Sequence, residues 1–252
     1  MRSGNPTLND NTFLDVGSGQ LRSAGAGGVM TLEGTVNKTS VLLALVLLGA
    51  FFCWSQYDGP ESVSKVMPLA IFGAIGGLVL ALVTVFKKTW APVTAPLYAV
   101  VEGLFVGGIS AIFEAKYPGI VMQAAGLTFA TMAAMLIAYR SGLIKATENF
   151  KLGVVAATGG IFLIYLANFV AGFFGYEFGL IHDSGWMGIG FSLVVVTVAA
   201  LNLVLDFDFI ESGVEAGAPK YMEWYGAFGL VVTLVWLYIE MLRLLSKLQS
   251  RD

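Results

Sequence analysis

Two aspartates close a long apolar run in "LNLVLDFDFIES", Leu201 to Ser212. Carboxylates in that position can attract a cation, exchange a proton, or stand in water as an acidic loop. Successive helical residues turn by about 100°, so Asp206 and Asp208 face nearly opposite sides of a helix and cannot both line one path. Asn202 lies one turn before Asp206 on the same face. Asp206 is therefore expected to point inward, and Asp208 to belong to the helix end or the loop after it. With Glu211, Glu215 and Glu223, Asp208 reads as a solvated acidic cluster at a mouth. Glu102 sits in the middle of "YAVVEGLFVGG". An ionised acid at that depth costs about 2.5–3.5 kcal/mol on insertion scales, which predicts that it faces the interior of a bundle. Near the C-terminus, Thr233, Trp236 or Leu237, and Glu240 share a helical face, and Glu240 stands three residues before Arg243, at ion-pair spacing.

These groups need elements to hold them. The chain has 252 residues, 57% hydrophobic and 12% charged, with a mean hydropathy of +0.79, against about 25% charged residues in an ordinary soluble domain. That is the composition of a membrane protein, and lipid bilayer is its first partner. Seven apolar runs are long enough to span as helices, roughly 37–56, 66–86, 92–115, 119–139, 152–175, 186–206 and 224–245. They are longer than barrel strands and apolar all round, so the fold class is all-α, a polytopic membrane bundle of seven helices. Residues 1–35, rich in Gly, Ser, Asn and Thr, read as a flexible N-terminal tail ahead of a transmembrane domain over 36–252. Gly73, Gly76 and Gly77, and the GxxxG of Gly103 and Gly107, are spaced for close helix packing.

Basic residues give the orientation. Arg2, Arg22, Lys38, Lys87, Lys88, Arg140, Lys145, Lys151 and Lys220 fall on the N-terminal side; Lys65, Lys116, Arg243, Lys247 and Arg251 fall on the other. The internal loops favour a cytoplasmic N-terminus and the tail opposes it, so the seventh run is either spanning or re-entrant. A formal charge of −3 argues against a nucleic-acid partner, which needs clustered cations. Cys53, the single cysteine, reads as a small buried hydrophobe, and His182, the single histidine, as a loop residue without the companions of a zinc site. Asn168 and Gln123 read as interhelical hydrogen-bonding groups. "GWMGIG" has its glycines in the wrong order for a dinucleotide loop, and no serine has His and Asp partners at a plausible depth. No enzyme activity and no cofactor is expected.

At "LNLVLDFDFIE", "VEGLFVGGISAIFEAKYPGI" and "MEWYGAFGLVVTLVWLYIEMLRLLSKL" the chain resembles the Bax inhibitor-1/YccA family, in its bacterial branch. The resemblance covers essentially everything after residue 35. It implies a seven-helix fold with a central last helix, and a pH-sensitive calcium leak gated by one aspartate on the sixth helix and one on the seventh. The first falls on Asp206 or, with a small shift, Asp208; the second falls on Thr233, with Glu240 two turns further on. A lone Asp206 opposite Thr233 lacks the second acid needed to share a proton. Either Glu102 replaces it or this branch gates differently. The expected function is a pH-sensitive cation leak, with Ca²⁺ as the transported ion and Asp206, Glu102, Asp208, Asn202, Thr233 and Glu240 as candidate path or sensing residues; Asp206 and Asp208 are also candidate Ca²⁺ ligands. The alternatives are a proton- or ion-coupled transporter, and a non-conducting regulator of stress response or membrane proteolysis that acts through a membrane-protein partner. The expected location is the bacterial plasma membrane.

Overall fold

A computed structural model describes residues 28–175 and 185–250; His182 and the N-terminal residues 1–27 lie outside that range. The described residues form seven long helices: α1 (Leu32–Trp54), α2 (Val63–Phe86), α3 (Ala91–Lys116), α4 (Ile120–Arg140), α5 (Glu148–Gly172), α6 (Trp186–Glu215) and α7 (Met222–Gln249). Each is long and apolar enough to cross a membrane. The helix starts are written locally. Thr31 and Thr147 each accept a hydrogen bond from a backbone N–H three residues on, at 3.0 Å and 3.3 Å, and Glu33 and Glu148 place negative charge in the first turn.

The last helix occupies the centre. Of the most apolar stretch of α7, 61% is buried inside the protein, against 11% for α5, which rests at the periphery on α6. Around α7 stand α1, α3, α4 and α6. Leu203, Leu237 and Leu242 are fully covered in the larger core cluster, and Leu42, Ala99 and Val231 fill a second one between α1, α3 and α7. Being one unbroken helix of 28 residues, α7 extends about 42 Å at 1.5 Å per residue, which is a spanning length.

The glycines do what their spacing predicts on α1, α2 and α3. Gly103 lies against Gly49 of α1 so closely that a Cβ would meet the Val46 carbonyl oxygen, and would stand 2.9 Å from Gly49 Cα and 3.0 Å from Ala50 N. All three obstacles are backbone, and backbone cannot turn away as a side chain can. Gly103→Leu is therefore expected to force α1 from α3 and to lower stability by at least the roughly 1–3 kcal/mol typical of overpacking. The melting midpoint of purified protein in detergent checks this; an unchanged midpoint would show that α1 can shift freely.

Two boundaries differ from the pattern in the sequence. The apolar run ends near residue 206, yet α6 continues to Glu215 because its acids find partners on neighbouring helices: Lys151 of α5 pairs with Asp208 at 2.7 Å, and Tyr139 of α4 donates to Glu211. Asp208 is thus helical, not in the loop. At the other end of the chain α1 starts at Leu32. Residues 28–31, assigned by composition to the tail, pair with the connection between α6 and α7, where Met30 N–H donates to the Ala218 carbonyl at 2.7 Å.

Candidate functional site

Asp206 projects from the inner part of α6 towards α7. A Cβ on Gly229 would stand 3.8 Å from its Oδ1, and Thr233 follows one turn on along α7. Oδ2 is fully covered and has no hydrogen-bond partner among the described residues. A glycine at 229 brings the α7 backbone close, and the small Thr233 leaves the carboxyl beside it. The result is an acidic oxygen enclosed between two central helices with its acceptor capacity unused. Buried polar atoms of native proteins are nearly always bonded, so such an atom calls for a ligand, a proton or water.

The other residues singled out by the sequence are dispersed. Asn202 donates to Thr158 Oγ1 of α5 at 2.8 Å and to the Val198 carbonyl at 2.9 Å, so its amide ties α5 to α6. Asp208 is turned to Lys151, which also approaches Glu148 at 3.4 Å. Asp206 and Asp208 therefore do not converge as two ligands of one calcium ion. Among the described residues no three His, Cys, Asp or Glu side chains gather as a metal cage. Glu102 is half-buried and faces α2, where its carboxyl fills the space above Gly77. It and Asp206 thus lie at different helix interfaces, with Glu102 placed between α2 and α3 and Asp206 between α6 and α7.

Thr233 and Glu240 share a face of α7, with Arg243 and Lys247 beyond them. Glu240 is 1% exposed. It accepts from Arg243 Nη1 at 2.9 Å and from Tyr165 Oη at 3.1 Å, and the Arg243 guanidinium lies 4.9 Å from the centre of the Tyr165 ring. Lys247, also buried, donates to the Gly188 carbonyl of α6 at 2.9 Å. The i,i+3 pair foreseen for Glu240 is present, but a tyrosine from α5 completes it. Thr233 and Glu240 are seven residues apart, about 10.5 Å along the axis, so the ion-paired cluster stands two turns from Asp206 towards the C-terminal end of α7.

Glu223 is the residue whose role differs most from its sequence pattern. Composition places it in a solvated acidic loop, but it is 0% exposed, in the first turn of α7. It accepts from Thr31 N at 2.9 Å, from Thr31 Oγ1 at 2.9 Å and from Lys220 Nζ at 2.7 Å, and pairs with Lys38 of α1. The carboxyl occupies the space where a side chain on Gly34 would go. Lys220 three residues before it is the only local signal; Thr31 and Lys38 are almost two hundred positions away, beyond the reach of any periodicity. On this fold the sequence matches the family described as Bax inhibitor 1 like over residues 5–250. Among curated proteins no match is found.

Proposed function

The chain belongs to the Bax inhibitor 1 like family, and from that premise we propose that this integral membrane protein lets cations, Ca²⁺ foremost, leak down their gradient in a pH-sensitive way, past Asp206. The observation that supports this most is the covered, unpartnered Oδ2 between α6 and α7. A dehydrating cation needs oxygen ligands, and a path offering one carboxylate, a hydroxyl and water holds Ca²⁺ weakly enough to release it. Asp206 is the ion-attracting and titrating group in this reading, and Thr233 orients its carboxyl. Glu240, neutralised by Arg243, forms a constriction further along α7. Glu102, at the α2–α3 interface, has a secondary influence on the field, and Asp208, held by Lys151, a smaller one. Asn202 holds α5 in place. No catalysis and no resident cofactor enters the proposal, which also places the chain in the bacterial branch of the family, in the plasma membrane, with a cytoplasmic N-terminus and without nucleic-acid partners.

Purified protein in liposomes loaded with a calcium indicator tests the proposal over a range of pH. Calcium entry above that of empty liposomes, varying with pH, is the expected result. Absence of flux at every pH would overturn it in favour of a non-conducting regulator with a membrane-protein partner, and saturable uptake against a calcium gradient would overturn it in favour of a coupled transporter.

A further inference from the structure

Asp206, Ile210 and Gly213 follow each other along one face of α6 at i, i+4 and i+7. Ile210 and Met30 both press on the same spot of α7: a Cβ on Gly226 would lie 3.1 Å from Ile210 Cγ1 and 3.5 Å from Met30 Cε, and a Cβ on Gly213 would lie 3.1 Å from Met30 Sδ. Met30 is 2% and Ile210 5% exposed. A methionine delivered from outside the bundle therefore fills the notch between α6 and α7. It stands about 10.5 Å, seven residues of rise, from the level of Asp206, with Ile210 between them. Gly213 leaves room for the Met30 sulfur, and methionine, unbranched and adaptable, suits a contact that must form and release.

What holds Met30 there is polar and sits at its edge. Its backbone N–H donates to Ala218, its neighbour Val29 bridges to Pro219, and Thr31 gives both its N–H and its hydroxyl to Glu223, which Lys38 and Lys220 flank. We propose that residues 28–31 are an autoinhibitory plug: Met30 closes the N-terminal-side mouth of the α6–α7 interface, and Glu223 is the latch that keeps it closed. The proposal rests on the reading of Asp206 as an ion-path residue for what the plug controls, but the plug itself rests only on the contacts of Met30 and Glu223. An apolar closure blocks a hydrated ion by denying it water, and it opens when the short segment lifts without any rearrangement of the seven helices.

The test combines thiol accessibility with flux, so that the plug and the conduction reading can fail separately. In a Cys53→Ala background, Ile210→Cys is placed beneath the plug and exposed to a membrane-impermeant methanethiosulfonate reagent in liposomes. Slow modification is expected with Met30 present, and at least tenfold faster modification with Met30→Ala or with Glu223→Gln; Met30→Leu, which refills the notch, should restore slow modification. Calcium flux should rise several-fold in Met30→Ala and stay near the starting level in Met30→Leu. Unchanged thiol reactivity in both opening variants would overturn the plug. Faster modification with flux present but unaltered would overturn its role as a gate. Faster modification with no flux in any variant, the unsubstituted protein included, would uphold the plug and overturn conduction past Asp206. Elution of Met30→Ala at the volume of the parent protein shows that its exposure is not unfolding.

Discussion

Asp206→Asn is expected to reduce calcium entry into liposomes by about tenfold, equivalent to about 1.4 kcal/mol on the barrier for the ion, while Asp208→Asn changes it less than twofold. The asparagine keeps the shape of the side chain beside Gly229. What is lost is the charge on an oxygen, Oδ2, that no donor among the described residues engages. No closing bond through Oδ2 is therefore broken by the substitution, so the predicted direction is less flux. Asp208 differs because Lys151 already neutralises it at 2.7 Å and because it points away from α7. The pH dependence should also flatten in Asp206→Asn, since the titrating group has gone, and persist in Glu102→Gln, whose carboxyl lies at another interface. Indicator-loaded liposomes at several pH values measure all three. Equal effects of the two aspartate substitutions, or an undiminished pH response in Asp206→Asn, would show that another carboxylate governs the path.

Glu223→Gln is expected to destabilise the protein by about 3–5 kcal/mol, the usual result of removing one partner from a buried charge pair. Glu223 is completely covered and gathers two ammonium groups and two donors from Thr31. A neutral amide presents one acceptor and two donors to that set, so Lys38, with a side chain only 19% exposed, is left without a counter-charge. Lys220, 46% exposed, can turn to water. The loss should show as a lower melting midpoint in detergent and as earlier cleavage of the chain ahead of α1 under limited proteolysis. A paired change, Glu223→Leu with Lys38→Met, removes both buried charges and should recover much of the stability, because well-packed apolar groups often replace a buried ion pair without loss. A melting midpoint unaffected by Glu223→Gln would mean that the latch contributes nothing to holding α1 on α7.

Seven spans, their helical nature and the close-packing role of Gly103 could be read from the sequence because each depends on local composition and spacing. About twenty consecutive apolar residues cannot satisfy their backbone in lipid except as a helix, whatever surrounds them. The opposed directions of Asp206 and Asp208 were equally legible, since the pitch of one helix fixes them. Pitch says nothing of which helix stands opposite. Asn202 shares its side of α6 with Asp206, yet its amide reaches Thr158 of α5 while the carboxyl reaches α7, a division made by where the two neighbours stand. Glu102 was expected in the bundle interior, whereas the packing of α3 on α2 places it over Gly77 and not beside Asp206. The end of α6 could not be read from hydropathy because Lys151 and Tyr139, on other helices, make its acidic last turns favourable. Tertiary structure alone brought Thr31 and Lys38 to Glu223 and seated Met30 between Gly213 and Gly226. A charge next to a helix start looks the same in sequence whether it meets water or a distant lysine, and the energy that decides between them comes from contacts formed only when the two ends of the chain meet.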